Sequence, residues 1–131
     1  MHSFITSITA TTWFGFVARI VLTSMFWGSG IGKLVDFPAA LGEMTHFGLN
    51  PPAVFAVATI IVQLVGSLLV ILNRWTWLGA GALAVFTLLT IPIAHNFWAM
   101  EEPFKTIEFY VVTEHISIIG ALMVVAWKAE N

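Results

Sequence analysis

The sequence predicts an all-helical integral membrane protein, a four-helix bundle with a short amphipathic helix between the first and second spans. The composition carries the first part of this prediction: 59% of the 131 residues are hydrophobic and 9% are charged, whereas a soluble domain has about 25% charged residues. Four apolar runs are each long enough for a spanning helix, which needs about 20 residues. None of them shows the alternating pattern of a β-barrel strand.

The four spans are expected within a single transmembrane domain that covers residues 1–131. Tryptophans lie near the ends of the runs, where indole rings favour the headgroup layer. The predicted spans are residues 13–32, 52–73, 75–97 and 107–127.

The connectors between the runs also have a predictable form. From Lys33 to Asn50 the apolar residues recur at helical spacing, which predicts a short helix along the membrane surface. Gly48 ends this helix, and Pro52 begins the second span, because proline is tolerated in a first turn. The link between the second and third spans is so short, only residues 73–74, that we expect a tight antiparallel hairpin.

Charge and cysteine content exclude several classes of function. The formal net charge of -2 offers no basic surface for nucleic acid. The absence of cysteine excludes disulfides, iron–sulfur clusters and thiolate metal sites, and we expect no metal site. An even number of spans places both termini on one side, and Arg74 and Lys128 favour that side as cytoplasmic. We therefore expect a multi-pass protein of the cytoplasmic membrane with both termini in the cytoplasm.

Polar residues inside the spans are the candidates for function. Ionisable side chains at membrane depth cost roughly 2.5–3.5 kcal/mol on insertion scales, so each needs a partner or a role. On every span they share a face with small residues, and we expect these faces to converge on one interior cavity. The predicted cavity residues are Arg19, Lys33, Gln63, His95, Glu114 and His115, and its aromatic wall is formed by Phe26, Trp27 and Tyr110.

A purely structural role is the alternative for most of these residues. Arg19 and Gln63 could serve only to join helices, and Lys33 could extend to the membrane surface from its helix end. His95 lies at interface depth, where a solvated histidine is common. Glu114 is the strongest single candidate, because a carboxylate about two turns into the bilayer must be paired or neutralised.

Two further features concern helix contacts. His115 lies about 100° around its helix from Glu114, so it is expected to face a neighbouring helix or another subunit. Gly28 and Gly32 form a pair of small residues one turn apart, which favours close helix contact within or between protomers.

The chain resembles the DoxX family of small four-helix bacterial and archaeal membrane proteins over nearly its whole length. It departs from the family pattern at Gln63, where a glutamate is usual, and at Glu114 and His115, where a Lys-Asn pair is common. The resemblance is carried by Gly30–Leu34 followed by Phe37, Gly48–Leu49 with Pro52, Gln63–Leu69, His95 with Phe97–Trp98, and Gly120–Leu122.

The resemblance implies a membrane subunit or scaffold of an oxidoreductase system, such as thiosulfate:quinone oxidoreductase, that contacts a quinone or a bound lipid in the cavity. An accessory or anchoring subunit is favoured over a self-sufficient enzyme. The alternative is a binding or chaperone-like module that docks other membrane proteins without redox chemistry. Haem bound by His95 and His115 is disfavoured, because the two residues differ in depth. Besides the bilayer, we expect a protein partner in a membrane complex or a second copy of the chain.

Overall fold

A computed structural model describes residues 1–131 and consists of helices joined by short turns. The four long helices have the length and hydropathy of membrane spans, which confirms the predicted all-helical four-span fold. The helices are α1 (His2–Thr9), α2 (Thr12–Val35), α3 (Phe37–His46), α4 (Pro52–Ile71), α5 (Thr76–Ala94) and α6 (Phe104–Lys128), with a 3-10 turn at Phe97–Ala99.

Helix α1 was not predicted from the sequence. It is exposed along its whole length, and threonine hydroxyls donate hydrogen bonds to carbonyls one turn back, as Thr6 does to His2 over 2.8 Å. Its apolar residues Phe4, Ile5 and Ile8 lie at helical spacing, but the helix has only 8 residues and is too short for a span. Thr11 then accepts a hydrogen bond from the Phe14 amide at 3.1 Å and caps the first span.

The predicted connector helix is α3, and both of its ends have local causes. The Asp36 carboxylate accepts a hydrogen bond from the Ala39 amide at 3.2 Å and caps its beginning. Gly48 has a φ of 73°, and the Leu49 amide donates to the Met44 carbonyl at 2.9 Å. A left-handed glycine after the last turn commonly ends a helix, and the predicted end of α3 at Gly48 is confirmed.

The hairpin between α4 and α5 is longer than the predicted two residues. Asn73 and Trp75 adopt left-handed conformations, with φ of 55° and 47°, and these end α4 at Ile71 and delay α5 until Thr76. The two helices then pack closely at Gly79 and Gly66. A Cβ on Gly79 would lie only 2.7 Å from the Gly66 carbonyl oxygen.

The spans pack in chain order, with α2 against α4, α4 against α5 and α5 against α6, while α2 and α6 make few close backbone contacts. The main core lies toward the end of the bundle that carries the α4–α5 hairpin and contains residues from all four spans. A second, smaller core fixes α3 on the beginning of α4 through Ala40, Met44 and Ala56. The main core consists of Phe26, Val70, Ala80, Leu83 and Leu122.

Candidate functional site

A cavity lies toward the end of the bundle where α3 is placed. Its volume is about 480 Å³, within the range of about 300–1,000 Å³ that is usual for small-molecule sites. Its outer rim includes Lys33, Glu43 and His95, and its inner wall reaches Gln63. Gln63 is 11 residues into α4 by its number, so at about 1.5 Å per residue the cavity extends to roughly the middle of the bilayer.

Helix α3 covers this outer end of the cavity. Met44 and Phe47 line the wall, as does Leu49 after the helix. On the side formed by α2 and α5 the lining includes Met25, Leu89 and other exposed apolar side chains. Since these positions lie in spans, the cavity opens toward the hydrocarbon of the bilayer.

Gln63 is the polar residue most deeply placed in the cavity wall. It is 5% exposed, and its Oε1 is buried without a hydrogen-bond partner. One turn further along α4, the hydroxyl of Ser67 is also buried without a partner. A buried amide oxygen of this kind usually has a partner, since leaving one unpaired costs about 1–3 kcal/mol.

A polar chain leads from the rim toward the interior through His95. Its Nδ1 lies 2.6 Å from Oε2 of Glu108 on α6, and both side chains are 23% exposed. The ring of His95 also packs edge-on against that of His115, with centroids 4.8 Å apart. Nδ1 of His115 is buried without a hydrogen-bond partner.

His95 reaches this position because α5 ends directly before it. Pro92 lies in the last turn of α5, and His95 leaves the helical conformation with φ of -128° and ψ of 37°. The direct contact of the two histidine rings leaves no gap for a porphyrin plane between them, which a haem with two histidine ligands on opposite faces requires.

Lys33 supplies the cation at the rim. Its Nζ donates a hydrogen bond to the Ser29 hydroxyl at 2.7 Å, one turn back on α2. Glu43 of α3 lines the same cavity but forms no ion pair with Lys33. The ammonium group is therefore not neutralised by a protein carboxylate.

The structure brings together five of the nine predicted site residues and separates the other four. Lys33, Gln63, His95, His115 and Phe26 line the cavity.

The single cavity predicted from the sequence requires a correction at Arg19 and Glu114. Arg19 lines a different cavity at the opposite end of the bundle, beside Ile71 at the end of α4. Glu114 is exposed on the outer side of α6. Helix periodicity identified a shared face on each span but not which way that face turns in the bundle.

The predicted aromatic wall is also corrected in part. Trp27 turns back along α2, where its Nε1 donates to the Ile20 carbonyl at 3.1 Å, and Tyr110 is 61% exposed. Phe26 is joined instead by Phe47, Phe55 and Phe86.

Two acidic residues of the site were missed as site residues. Glu108 and Glu43 both lie at the end of the bundle where α3 is placed. Neither belongs to a polar face predicted for a span. The signal for Glu108 was its place in the first turns of α6, opposite the end of α5. No sequence signal indicated that α3 folds over the cavity.

Together the fold and the cavity define a small polytopic membrane protein with an internal site that opens to lipid. The family model DoxX matches residues 14–96, and the chain belongs to this family. It is similar to "Inner membrane protein YphA" of Escherichia coli (strain K12), with 24% identity over 110 residues, 84% of this chain and 79% of the relative. No solved structure matches.

The matched range has a consequence for the site. It contains α2 to α5 and therefore Lys33, Gln63 and His95. It ends before α6, which supplies Glu108 and His115.

Proposed function

We propose that this DoxX-family protein is a membrane subunit of an oxidoreductase system and that its cavity binds the head group of a quinone. The observation that carries the proposal is the position of Gln63, whose Oε1 has no partner within the chain, on the wall of a cavity that opens to lipid. A quinol hydroxyl donates a hydrogen bond to this oxygen, whereas a quinone carbonyl accepts one from the amide N–H of the same side chain. One residue thus serves both redox states.

The surroundings of Gln63 fit such a ligand. Phe26, Phe55 and Phe86 offer ring surfaces to a flat head group, and a prenyl tail leaves between the exposed apolar residues of α2 and α5. Reduction of a quinone consumes two protons and two electrons. Glu108, His95 and His115 form a route for the protons, and the electrons come from a partner protein that carries a redox cofactor.

The experiment is affinity purification in a mild detergent followed by mass spectrometry of the bound lipids and proteins. The proposal predicts a quinone in the lipid extract and a dehydrogenase-type subunit among the proteins. Gln63→Leu should lose most of the quinone, and Thr113→Val, a change on the exposed face of α6, should retain it. An extract without quinone would contradict the binding proposal.

A docking function is favoured by a separate observation on α6. Glu114 lies ten residues into the span by its number, is exposed and forms no hydrogen bond or ion pair within the chain. A carboxylate in hydrocarbon needs a partner, and a basic or amide side chain on a neighbouring transmembrane helix provides one.

This second function is tested by cross-linking, since the chain has no cysteine of its own. Ser117→Cys lies one turn from Glu114 on α6, and Val85→Cys on α5 is an exposed control. A cross-linked partner at position 117 that disappears with Glu114→Leu supports docking. Equal cross-linking at both positions would reject it.

A further inference from the structure

A second cavity, of about 450 Å³, lies at the opposite end of the bundle between the beginning of α2 and the end of α6. Its charged lining consists of Arg19, Lys128 and Glu130. The main core separates it from the first cavity: Leu22, which packs against that core, and Leu122 lie between the two sites along α2 and α6. The quinone proposal does not use this second cavity.

Most N–H donors of the Arg19 guanidinium have no partner within the chain. Its Nε donates to the Ile71 carbonyl at 3.4 Å, and this is the only hydrogen bond of the side chain. No carboxylate pairs with it, since the one ion pair of the structure joins His95 and Glu108. An arginine has five N–H donors in a fork that matches phosphate oxygens. The Nη groups are therefore available to an anion.

Gly15 provides the space that positions this guanidinium. A Cβ on Gly15 would lie 3.1 Å from Nη1 of Arg19, closer than ordinary van der Waals contact. The arginine thus folds back over the first turns of α2, and its end lies in the seam between α2 and α6. An alanine at position 15 would shift the guanidinium by a few tenths of an ångström, and a larger side chain would move it further.

The opposite wall is fixed by the residues that follow α6. The side-chain amide of Asn131 donates to the Asn73 carbonyl at 2.7 Å, and its Oδ1 accepts from the Thr76 amide at 2.8 Å. These bonds hold residues 129–131 against the α4–α5 hairpin. The cavity therefore has two built walls, with Lys128 on the α6 side.

The charge of the lining selects the ligand. The lining side chains are two cations and one carboxylate, which favours an anionic group such as a phosphodiester. The site lies at headgroup depth, since Trp13 and Trp127 at this end of the bundle are 70% and 78% exposed. The wall also contains the small residues Gly15 and Ala18, which leave room for a group that reaches in from the bilayer.

We propose that this cavity binds the phosphodiester of an anionic membrane phospholipid between Arg19 and Lys128. The guanidinium fork contacts two phosphate oxygens, and the ammonium group of Lys128 contacts the diester from the α6 side. The acyl chains extend into the bilayer along the exposed apolar surface of α2. The ligand is a resident lipid and not a reactant.

Native mass spectrometry of the full chain in detergent tests the proposal, with phosphatidylglycerol, phosphatidylcholine and inorganic phosphate added separately. Phosphatidylglycerol should bind the unaltered protein most tightly. Arg19→Gln and Lys128→Gln should each weaken that binding roughly tenfold, the loss expected for a hydrogen bond to a charged group. Gly15→Ala should weaken it by less, because it only shifts the guanidinium. Arg74→Gln is the matched control, since Arg74 is exposed at the same end but does not line the cavity.

The results distinguish a lipid bound in the cavity from diffuse surface attraction and from a free-phosphate site. Weaker binding in Gly15→Ala, which alters no charge, identifies the cavity and not the net charge as the cause. Equal losses in Arg74→Gln and Arg19→Gln would overturn the proposal in favour of a diffuse surface attraction. Displacement of the lipid by inorganic phosphate at equal concentration would overturn the lipid assignment and leave a free-phosphate site.

Discussion

Oε2 of Glu108 lies 2.6 Å from Nδ1 of His95, so the beginning of α6 is joined to the end of α5 at the rim of the larger cavity. The two side chains are 13 residues apart and neither helix alone could position them. His115, one to two turns further along α6, contacts the other side of the same imidazole. The rim of the site therefore depends on how α5 and α6 pack together.

Loss of the Glu108 carboxylate should destabilise the bundle at this rim. We expect Glu108→Gln to lower the free energy of unfolding by about 1–2 kcal/mol, because a charge-assisted hydrogen bond becomes a neutral one. Glu102→Gln is the control, since Glu102 is exposed and accepts only from Thr106. Unfolding followed by circular dichroism in detergent measures both, and equal effects would contradict the assignment.

The close approach of α4 and α5 predicts a contrast between two glycines. Gly79→Ala should cost about 1–3 kcal/mol, because its Cβ would meet the Gly66 carbonyl oxygen at 2.7 Å. Gly81→Ala meets nothing within 4 Å and should be neutral or stabilising by up to about 1 kcal/mol. Thermal unfolding of the two variants side by side distinguishes them, and a neutral Gly79→Ala would refute the contact.

The separation of Arg19 and Glu114 predicts that their substitutions act independently. Arg19 bonds the Ile71 carbonyl at one end of the bundle, while Glu114 is exposed on α6. The losses of stability in Arg19→Leu and Glu114→Gln should add in the double variant to within about 0.5 kcal/mol. A coupling energy well above about 1 kcal/mol would instead restore a shared cavity.

Topology gives a prediction that does not depend on any ligand. Four spans place α1 and α3 at opposite ends of the bundle. Single cysteines at Ser3 and Thr45 should therefore be labelled from opposite sides of the membrane, with position 3 on the cytoplasmic side. Labelling of both positions by an impermeant reagent from one side would reject this arrangement.

The fold followed closely from the sequence because the membrane imposes length and hydropathy on every span. The ends of spans were less accurate, since left-handed residues at Asn73 and Trp75 shorten α4 and delay α5. Gly28 and Gly32 make no close helix contact within the chain, since a Cβ on either would meet nothing within 4 Å, and a contact between protomers stays a prediction. Gly30 makes the contact instead, as its Cβ would lie 2.8 Å from Leu64.

The site was harder to predict than the fold because it depends on helix rotation. Gln63 and Glu114 each belong to a helix face of polar and small residues. Gln63 faces the interior of the bundle, whereas Glu114 is exposed on its outside. A stripe on a membrane helix serves contacts inside the bundle and contacts with partners equally well. Rotation is set by packing, here by Phe26 and Leu122, which no local pattern reveals.

Direct measurement of quinone affinity tests whether the buried amide of Gln63 binds a quinone head group. The purified protein is titrated in detergent with a short-tailed quinone, by calorimetry, alongside Gln63→Leu and Thr113→Val. We expect saturable binding of one quinone per protein chain. The affinity should be about three- to tenfold weaker in Gln63→Leu and unchanged in Thr113→Val. Equal affinity in the unaltered protein and Gln63→Leu, or no saturable binding at all, would contradict it.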